Sequence, residues 1–353
     1  MHHISAQLLA LTGEAAVLVQ RGRISFSNAA ARSILGGGCM GKSLEEVFGA
    51  DIACAQASAF VGNASVGGRQ LIVRVTKLEG AEAVFFTTAE TPPALLNDAF
   101  IYSLRGSLMN FGIALELARQ SAEDAADHGL SEQLSSMAQS YFKVRRAVAN
   151  ASVIQSAAQG GAYCSMERLD ICDIIQKLTD TLNLLSDGPE IVFSPCDSVV
   201  IPGDASLLNQ LMLNLISNCF VHAEGCTRIS LGVVESGERV MLSVTDDGRG
   251  VAPDDLHAVF DRFRHGYDVN TLGGGAGFGL TVVRMIAQLH GGTVMLESRE
   301  GRGTAVRVSL SKTPPASCSF SAGHDGAELR MSDVLTGLAD CLPARCFSER
   351  YAD

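Results

Sequence analysis

Apolar and polar positions follow two different periods along this chain. From Ala15 to Phe48 the sequence AAVLVQRGRISFSNAAARSILGGGCMGKSLEEVF predicts a strand, an Arg-Gly turn, a second strand, a helix-like NAAARSIL and a glycine break. RQLIVRVTKLEG and AEAVFFTTA predict two more β-rich runs. Past Pro92 and Pro93 the period lengthens. Ile101, Leu104, Leu108, Phe111, Leu115 and Ala118 recur at alternating three- and four-residue spacing, a heptad seam. After the polar loop SAEDAADHG, Leu130, Leu134, Met137, Tyr141, Val144 and Val148 repeat it, which predicts an antiparallel helical hairpin. Beyond Gly160 and Gly161 the pattern is mixed, with RISLGVVE and RVMLSVTD flanking SGE, and TVMLESR and TAVRVSL flanking EGRG as hairpins.

These shifts divide the chain into residues 1–90, 91–160 and 161–312, with a tail at 313–353. The whole is expected to be multidomain α+β. The tail is small and polar, holds one short helix at SDVLTGLADCL, and suggests no function. One partner helix covers only part of each hairpin stripe, which favours two hairpins pairing as a dimeric four-helix bundle. Packing on its own chain is the alternative.

Composition narrows the function classes. The chain has 353 residues, 47% of them hydrophobic, enough for two or three cores. Its formal charge of -11 and the lack of a basic patch argue against nucleic acid as a partner. No apolar run is long enough to cross a bilayer, and the N-terminal apolar stretch lacks a basic flank and carries Glu14, so a cytoplasmic chain without membrane contact is expected. The ten cysteines show neither CxxC pairs nor ligand spacing, and read as buried small hydrophobes rather than a disulfide framework or zinc site.

Four motifs between residues 206 and 304 carry candidate chemistry. LLNQLMLNLISNCFVHA places Asn214 and Asn218 four residues apart on one helix face. Such a pair suits a metal or phosphate edge, although one alone could be a satisfied core amide. In TDDGRGV, Asp246 can accept a hydrogen bond from an exocyclic amine, while Gly248 and Gly250 let the backbone approach a ligand. Gly275, Gly277 and Gly279 precede a helix starting near Leu280, which offers bare amides and a helix N-terminus to phosphate. Gly303 and Thr304 come from the returning hairpin. GGGCMGKS, with Gly36, Gly41, Lys42 and Ser43, also satisfies a phosphate-loop pattern. A helix-like NAAARSIL precedes it where a buried strand is needed, so a chance turn is the better reading.

In order and spacing these motifs resemble the N, G1, F, G2 and G3 boxes of the GHKL ATPases, and most closely the α/β-sandwich catalytic domain of histidine kinases. That resemblance implies ATP and Mg²⁺ as cofactors, with Asp246 on the adenine amino group, Asn218 on Mg²⁺ and Asn214 along the phosphates. VFDRFRHG resembles the F box, which implies a mobile lid anchored by Phe260 and Phe263, with Arg262 or Arg264 reaching the phosphates. Val221 stands where the family commonly has a basic residue. The first ninety residues resemble a PAS sensor domain through Asn28, Ala30 and Leu35.

In such kinases the hairpin's first helix carries the phosphoacceptor histidine. Aligning Leu104 to Leu108 with the end of that box puts Tyr102 at the histidine position and Ser103 at its acidic neighbour. Tyr102 follows seam residue Ile101 and so points outward. A phenol of pKa about 10 is mostly protonated at pH 7, unlike an imidazole near 6.5, and Ser103 is no base. Gly106 stands where the family often has a residue linked to phosphatase action. His128, His222 and His290 read as structural or solvated. The expectation is a dimeric histidine-kinase homologue that binds Mg-ATP, a phosphotransferase with a degenerate acceptor site, working with a response regulator or partner histidine kinase. An inactive ATP-binding scaffold is the alternative; a chaperone or topoisomerase relative is disfavoured by the hairpin upstream.

Overall fold

The computed structural model describes residues 12–53, 57–78, 80–89, 98–159, 164–185, 188–194, 197–252, 279–313, 319–320 and 329–348, together with Leu9, Ala55, Asp255 and Val259. Strands β1 (Ala15–Gln20) and β2 (Arg23–Ser27) meet through Arg21 and Gly22, both at positive φ (52° and 74°). That is the two-residue turn whose twist matches the strands. Asn28 caps helix α1 (Ala29–Leu35) and is buried. Its Oδ1 accepts from the amides of Ala16 and Ala31, and its Nδ2 donates to the carbonyls of Leu9 and Glu14. It therefore ties the first strand to the helix that follows.

The phosphate-loop-like stretch sits in a different context from the one its pattern requires. A helix, α1, precedes it, Gly37–Cys39 forms a 3-10 turn, and Ser43 closes a capping box with Glu46 at the head of helix α2 (Leu44–Phe48). A short helix α3 (Ala50–Ala53) leads into β3 (Ala59–Val66), β4 (Arg69–Leu78) and β5 (Ala81–Thr88).

Strand β3 escapes the sequence reading because Gly62, Asn63 and Ser65 dilute its β propensity. It is held as a strand from both sides. One edge pairs with β4 and the other with β11 (Thr293–Arg299), so the N-terminal sheet continues into the C-terminal one in the order β2-β1-β5-β4-β3-β11-β12-β10-β9-β7. The remaining strands are β7 (Glu190–Phe193), β9 (Arg228–Ser236), β10 (Arg239–Asp246) and β12 (Gly303–Ser311). Side chains reinforce the seam. Asn63 Oδ1 accepts from the amide of Val294, Glu297 accepts from the amide of Ala57, and Asp51 accepts from Thr293 and Ser309. A Cβ on Gly62 would lie 2.9 Å from Ile52 Cδ1 and 3.2 Å from the Val294 carbonyl, so a larger residue at that crossing would have to displace the Ile52 side chain.

Helices α4 (Asp98–Asp124) and α5 (His128–Ala158) form a hairpin, with Phe111 beside Tyr141 and Asp98 accepting from Gln159 at its open end. The two heptad seams split in the structure. Ile101, Leu115, Leu134 and Val148 are buried, whereas Phe111, Leu130, Met137 and Val144 are exposed. The buried face of α5 also carries Arg146, Asn150 and Gln155, which no heptad assigns to a core. No described helix is long and apolar enough to cross a membrane.

Helix α6 (Ile171–Leu185), helix α7 (Ala205–His222) and helix α8 (Gly279–Leu289) cover the C-terminal sheet. A small second sheet joins β6 (Ser165–Asp170), β8 (Val200–Gly203) and β13 (Ser319–Phe320). His290 is buried behind α7: its Nε2 accepts from the amide of Asp204 while Nδ1 faces the carbonyl of Ile286, and burial lowers its pKa. Cys172 is disulfide-bonded, which corrects the expectation of thiols only; pairing depends on spatial proximity that spacing does not encode.

The C-terminal segment is the largest departure from the sequence reading. Helix α9 (Met331–Gly337) and a 3-10 turn (Ala344–Phe347) pack between α5 and α7, with Val334, Leu335, Leu338, Ala339 and Phe347 fully buried. Gly337 permits the approach: a Cβ there would stand 2.6 Å from that of Leu213. Phe347 meets the ring of Phe142, and Gln139 donates to the carbonyls of Ala339 and Leu342.

Candidate functional site

A pocket of about 330 Å³ opens between α7, the end of β10 and the head of α8. Its walls are aliphatic, from Leu215, Val244, Leu280, Leu296 and Val306, and its polar end holds Asn218, Asp246 and Thr304. The sequence reading assigned the polar residues and Leu280. Of the other wall residues, Leu215 reads from sequence as buried on its helix and Val244, Leu296 and Val306 only as strand positions, and the strand period that points them inward is the one signal that marks them.

Asp246 ends β10 and is 5% exposed. Its Oδ1 accepts from the amides of Gly248 at 3.0 Å and Thr304 at 3.2 Å. Neither of those amides uses its second oxygen. Burial raises its pKa against the pull of the two amides, and burial together with the nearby Asp246 pushes the Cys219 thiol up as well. The adjacent Asp247 has a different task. It accepts from the Thr227 hydroxyl at 2.6 Å and from the amides of Thr227 and Arg228, contacts that hold its carboxyl well below the usual range. In TDDG, then, one carboxylate faces the pocket and its neighbour pins a strand.

Two glycines make this corner possible. Gly303 has φ +86° and a Cβ there would lie 1.9 Å from the Asp246 carbonyl; Gly250 has φ +70° and would meet the Arg299 carbonyl at 2.3 Å. Only a residue without Cβ lets the two loops close over each other. Ser298 locks them by accepting from the amide of Val251 and donating to the carbonyl of Gly303.

Asn214, Asn218 and Gly279 converge. A Cβ on Gly279 would stand 3.3 Å from Asn218 Oδ1 and 3.6 Å from Asn214 Oδ1, so a bare helix N-terminus faces two amides. Among the described residues, the Nδ2 of Asn218 is buried without a hydrogen-bond partner. A buried amide normally finds a partner. An anion at the head of α8 would give Nδ2 its acceptor, and the amide oxygen could then take a cation. Asn214 is occupied already: Nδ2 donates to the Gln210 carbonyl and Oδ1 accepts from Arg146 of the hairpin. The sequence reading missed Arg146, because a charged residue on a helix carries no signal of which neighbour it will meet.

Phe260, Arg262, Phe263, Arg264, Gly275 and Gly277 lie outside the described residues. Tyr102 is 80% exposed, and Val221 is also exposed. His222, read from sequence as structural or solvated, lines the pocket. The residues present fit an adenine nucleotide with its cation: an aliphatic slot ending on a carboxylate, a glycine-opened corner, and an unsatisfied amide beside a helix N-terminus.

Residues 203–314 match the family model described as histidine kinase-, DNA gyrase B-, and HSP90-like ATPase. Among curated proteins, the chain is similar to the sensor histidine kinase ZraS of Salmonella typhimurium, 32% identical over 203 residues, or 55% of this chain and 41% of that protein. It is also similar to the sensor histidine kinase TrcS of Mycobacterium tuberculosis, 32% identical over 164 residues, or 45% of this chain and 32% of that one. Among solved structures, the ATP binding domain of PrrB from Mycobacterium tuberculosis is 28% identical, with 43% of this chain and 98% of that chain covered and a TM-score of 0.33. The chain spans less than half the length of these curated relatives. The described residues that line the pocket all fall within the stretch that matches this family model.

Proposed function

We propose that this chain is a histidine-kinase-type signalling protein that binds Mg-ATP and has lost the usual phosphoacceptor. The observation that carries the reading is the convergence of Asn214, Asn218 and Gly279 beside a pocket that ends on Asp246. In this reading Asp246 accepts the exocyclic amine of adenine, and its backbone contacts fix the carboxylate so that no reorganisation is needed. The aliphatic walls exclude water from the base. Asn218 takes the cation, Asn214 and the amides at the head of α8 line the phosphates, and Phe260, Arg262 and Arg264 belong to a lid over them. Bound ATP would supply a transferable phosphoryl group.

In this reading Tyr102 stands at the acceptor position, and its 80% exposure supports access by a second domain. A protonated phenol beside Ser103 is a weak nucleophile at neutral pH. One observation favours the second reading, an ATP-binding scaffold that regulates a response regulator or partner kinase: Asn214 is held by Arg146, which is itself paired with Asp340 of the C-terminal segment. A PAS-type sensing role for residues 1–90, homodimerisation through the hairpin and a cytoplasmic location complete the proposal. Calorimetric titration with Mg-ATP tests its core.

A further inference from the structure

A second cavity, about 540 Å³, lies on the far side of Asn214, between the hairpin, α7 and the C-terminal segment. Its described lining differs from that of the 330 Å³ pocket, although Asn214, which the nucleotide reading sets along the phosphates, belongs to its wall. Asn214 forms part of the partition, since both ends of its side chain are already bonded.

The wall of this cavity is strongly basic. Arg105 enters from α4, Arg145 and Arg146 from α5, and Arg330 from the cap of α9, while Asp333 is the one carboxylate among the described lining residues. Four arginines less Asp333 and Asp340, the carboxylate paired with Arg146, leave +2 in a chain whose formal charge is -11. Two of the arginines are engaged, Arg145 with Asp333 at 3.4 Å and Arg146 with Asp340 at 2.8 Å. Arg105 and Arg330 make no ion pair among the described residues, so anchoring the C-terminal segment does not account for them. A guanidinium at a cavity mouth is suited to paired hydrogen bonds with a carboxylate or phosphate.

The floor gives an independent sign. Asn209, on the face of α7 that lines the cavity, is 6% exposed and its Oδ1 has no hydrogen-bond partner among the described residues. Its neighbour Gln210 is satisfied by Asn150 at 2.9 Å. An unpartnered buried amide oxygen on a residue of the cavity wall calls for a donor.

We propose that this cavity binds a small organic anion, a phosphoester or carboxylate that also carries a hydroxyl or amine. The anionic group sits among the arginines and the donor reaches Asn209. Because the walls come from the hairpin, α7 and the C-terminal segment, the site is complete only when all three are docked. The inference is independent of nucleotide binding.

The test uses the full chain, with thermal melts and calorimetric titrations in inorganic phosphate, glycerol 3-phosphate and citrate, each against sodium chloride of equal ionic strength. The expected result is a melting shift beyond the salt control with glycerol 3-phosphate or citrate, larger than with inorganic phosphate. Which of the two prevails identifies phosphoester or carboxylate. Affinity should fall by about tenfold or more in R105A/R330A, as removal of charge-assisted hydrogen bonds predicts, and should persist in D246N. No shift beyond salt with any probe, or an unchanged shift in R105A/R330A, would overturn the proposal. So would displacement of the anion by Mg-ATP in wild type together with its loss in D246N, which would make the cavity part of the nucleotide site.

Discussion

Arg146 donates to Asn214 Oδ1 across 3.1 Å while its other terminal nitrogen holds Asp340 Oδ2 at 2.8 Å. One guanidinium thus joins the hairpin, the helix that borders the nucleotide pocket, and the C-terminal segment. Both Arg146 and Asn214 are buried, so removing a partner leaves charge without compensation.

Asp340→Asn should therefore destabilise the chain by about 2 kcal/mol, less than for a fully buried pair because Asp340 keeps some solvent contact. Urea denaturation checks this. The loss should be absent in an Arg146→Met background if the ion pair is its source. An equal loss in both backgrounds would assign it to other contacts of the segment.

Asp246 makes a pH-dependent contribution of definite sign. Burial raises its folded pKa, so its favourable contribution is full below the unfolded value of about 3.9 and is lost as pH rises through the folded value. Asparagine keeps an oxygen for the amides of Gly248 and Thr304 and has nothing to ionise. The stability of D246N relative to wild type should increase as pH rises from the unfolded pKa through the raised folded one and then level off. A difference that stays constant or declines over that range would contradict the assignment.

Dimerisation is expected through the exposed part of the hairpin seam. Phe111, Met137 and Val144 remain 45–50% exposed and, with Leu108, line an apolar groove. Met137→Glu with Val144→Glu should convert a dimer of twice the chain mass to a folded monomer, read by light scattering and circular dichroism. Leu134 is buried in the chain's own core, so a charge there should unfold the hairpin rather than split a dimer. A wild-type monomer at micromolar concentration would contradict the prediction.

At the acceptor position, wild type incubated with γ-labelled ATP should form no acid-labile phosphate. Tyr102→His with Ser103→Glu should restore some, because imidazole is a nucleophile at neutral pH, the glutamate supplies a base, and the site is exposed. Acid-labile, base-stable label on wild type would point to another histidine.

The polar residues of the candidate pocket were legible in the sequence through local signals. A four-residue asparagine spacing, glycines flanking Asp246 and a helix start at Gly279 each have meaning within a few residues. What it concealed depends on distant neighbours. Strand β3 has a weak strand composition and is fixed by pairing on both edges. The C-terminal segment looked small and polar, although Val334, Leu338 and Leu342 at four-residue spacing could have marked an apolar helix face. The hairpin helices each carry two apolar faces, and a heptad count cannot say which one the chain covers for itself.

The central claim, that Asp246 closes an adenine nucleotide site, is tested most directly by calorimetric titration of Mg-ATP into wild type and D246N. Wild type should bind at one site per chain, with about 2.7 kcal/mol of added stability at a hundredfold excess over Kd, and D246N should bind at least about tenfold more weakly while remaining folded. Equal affinity in the two proteins, or no binding by wild type, would contradict the account.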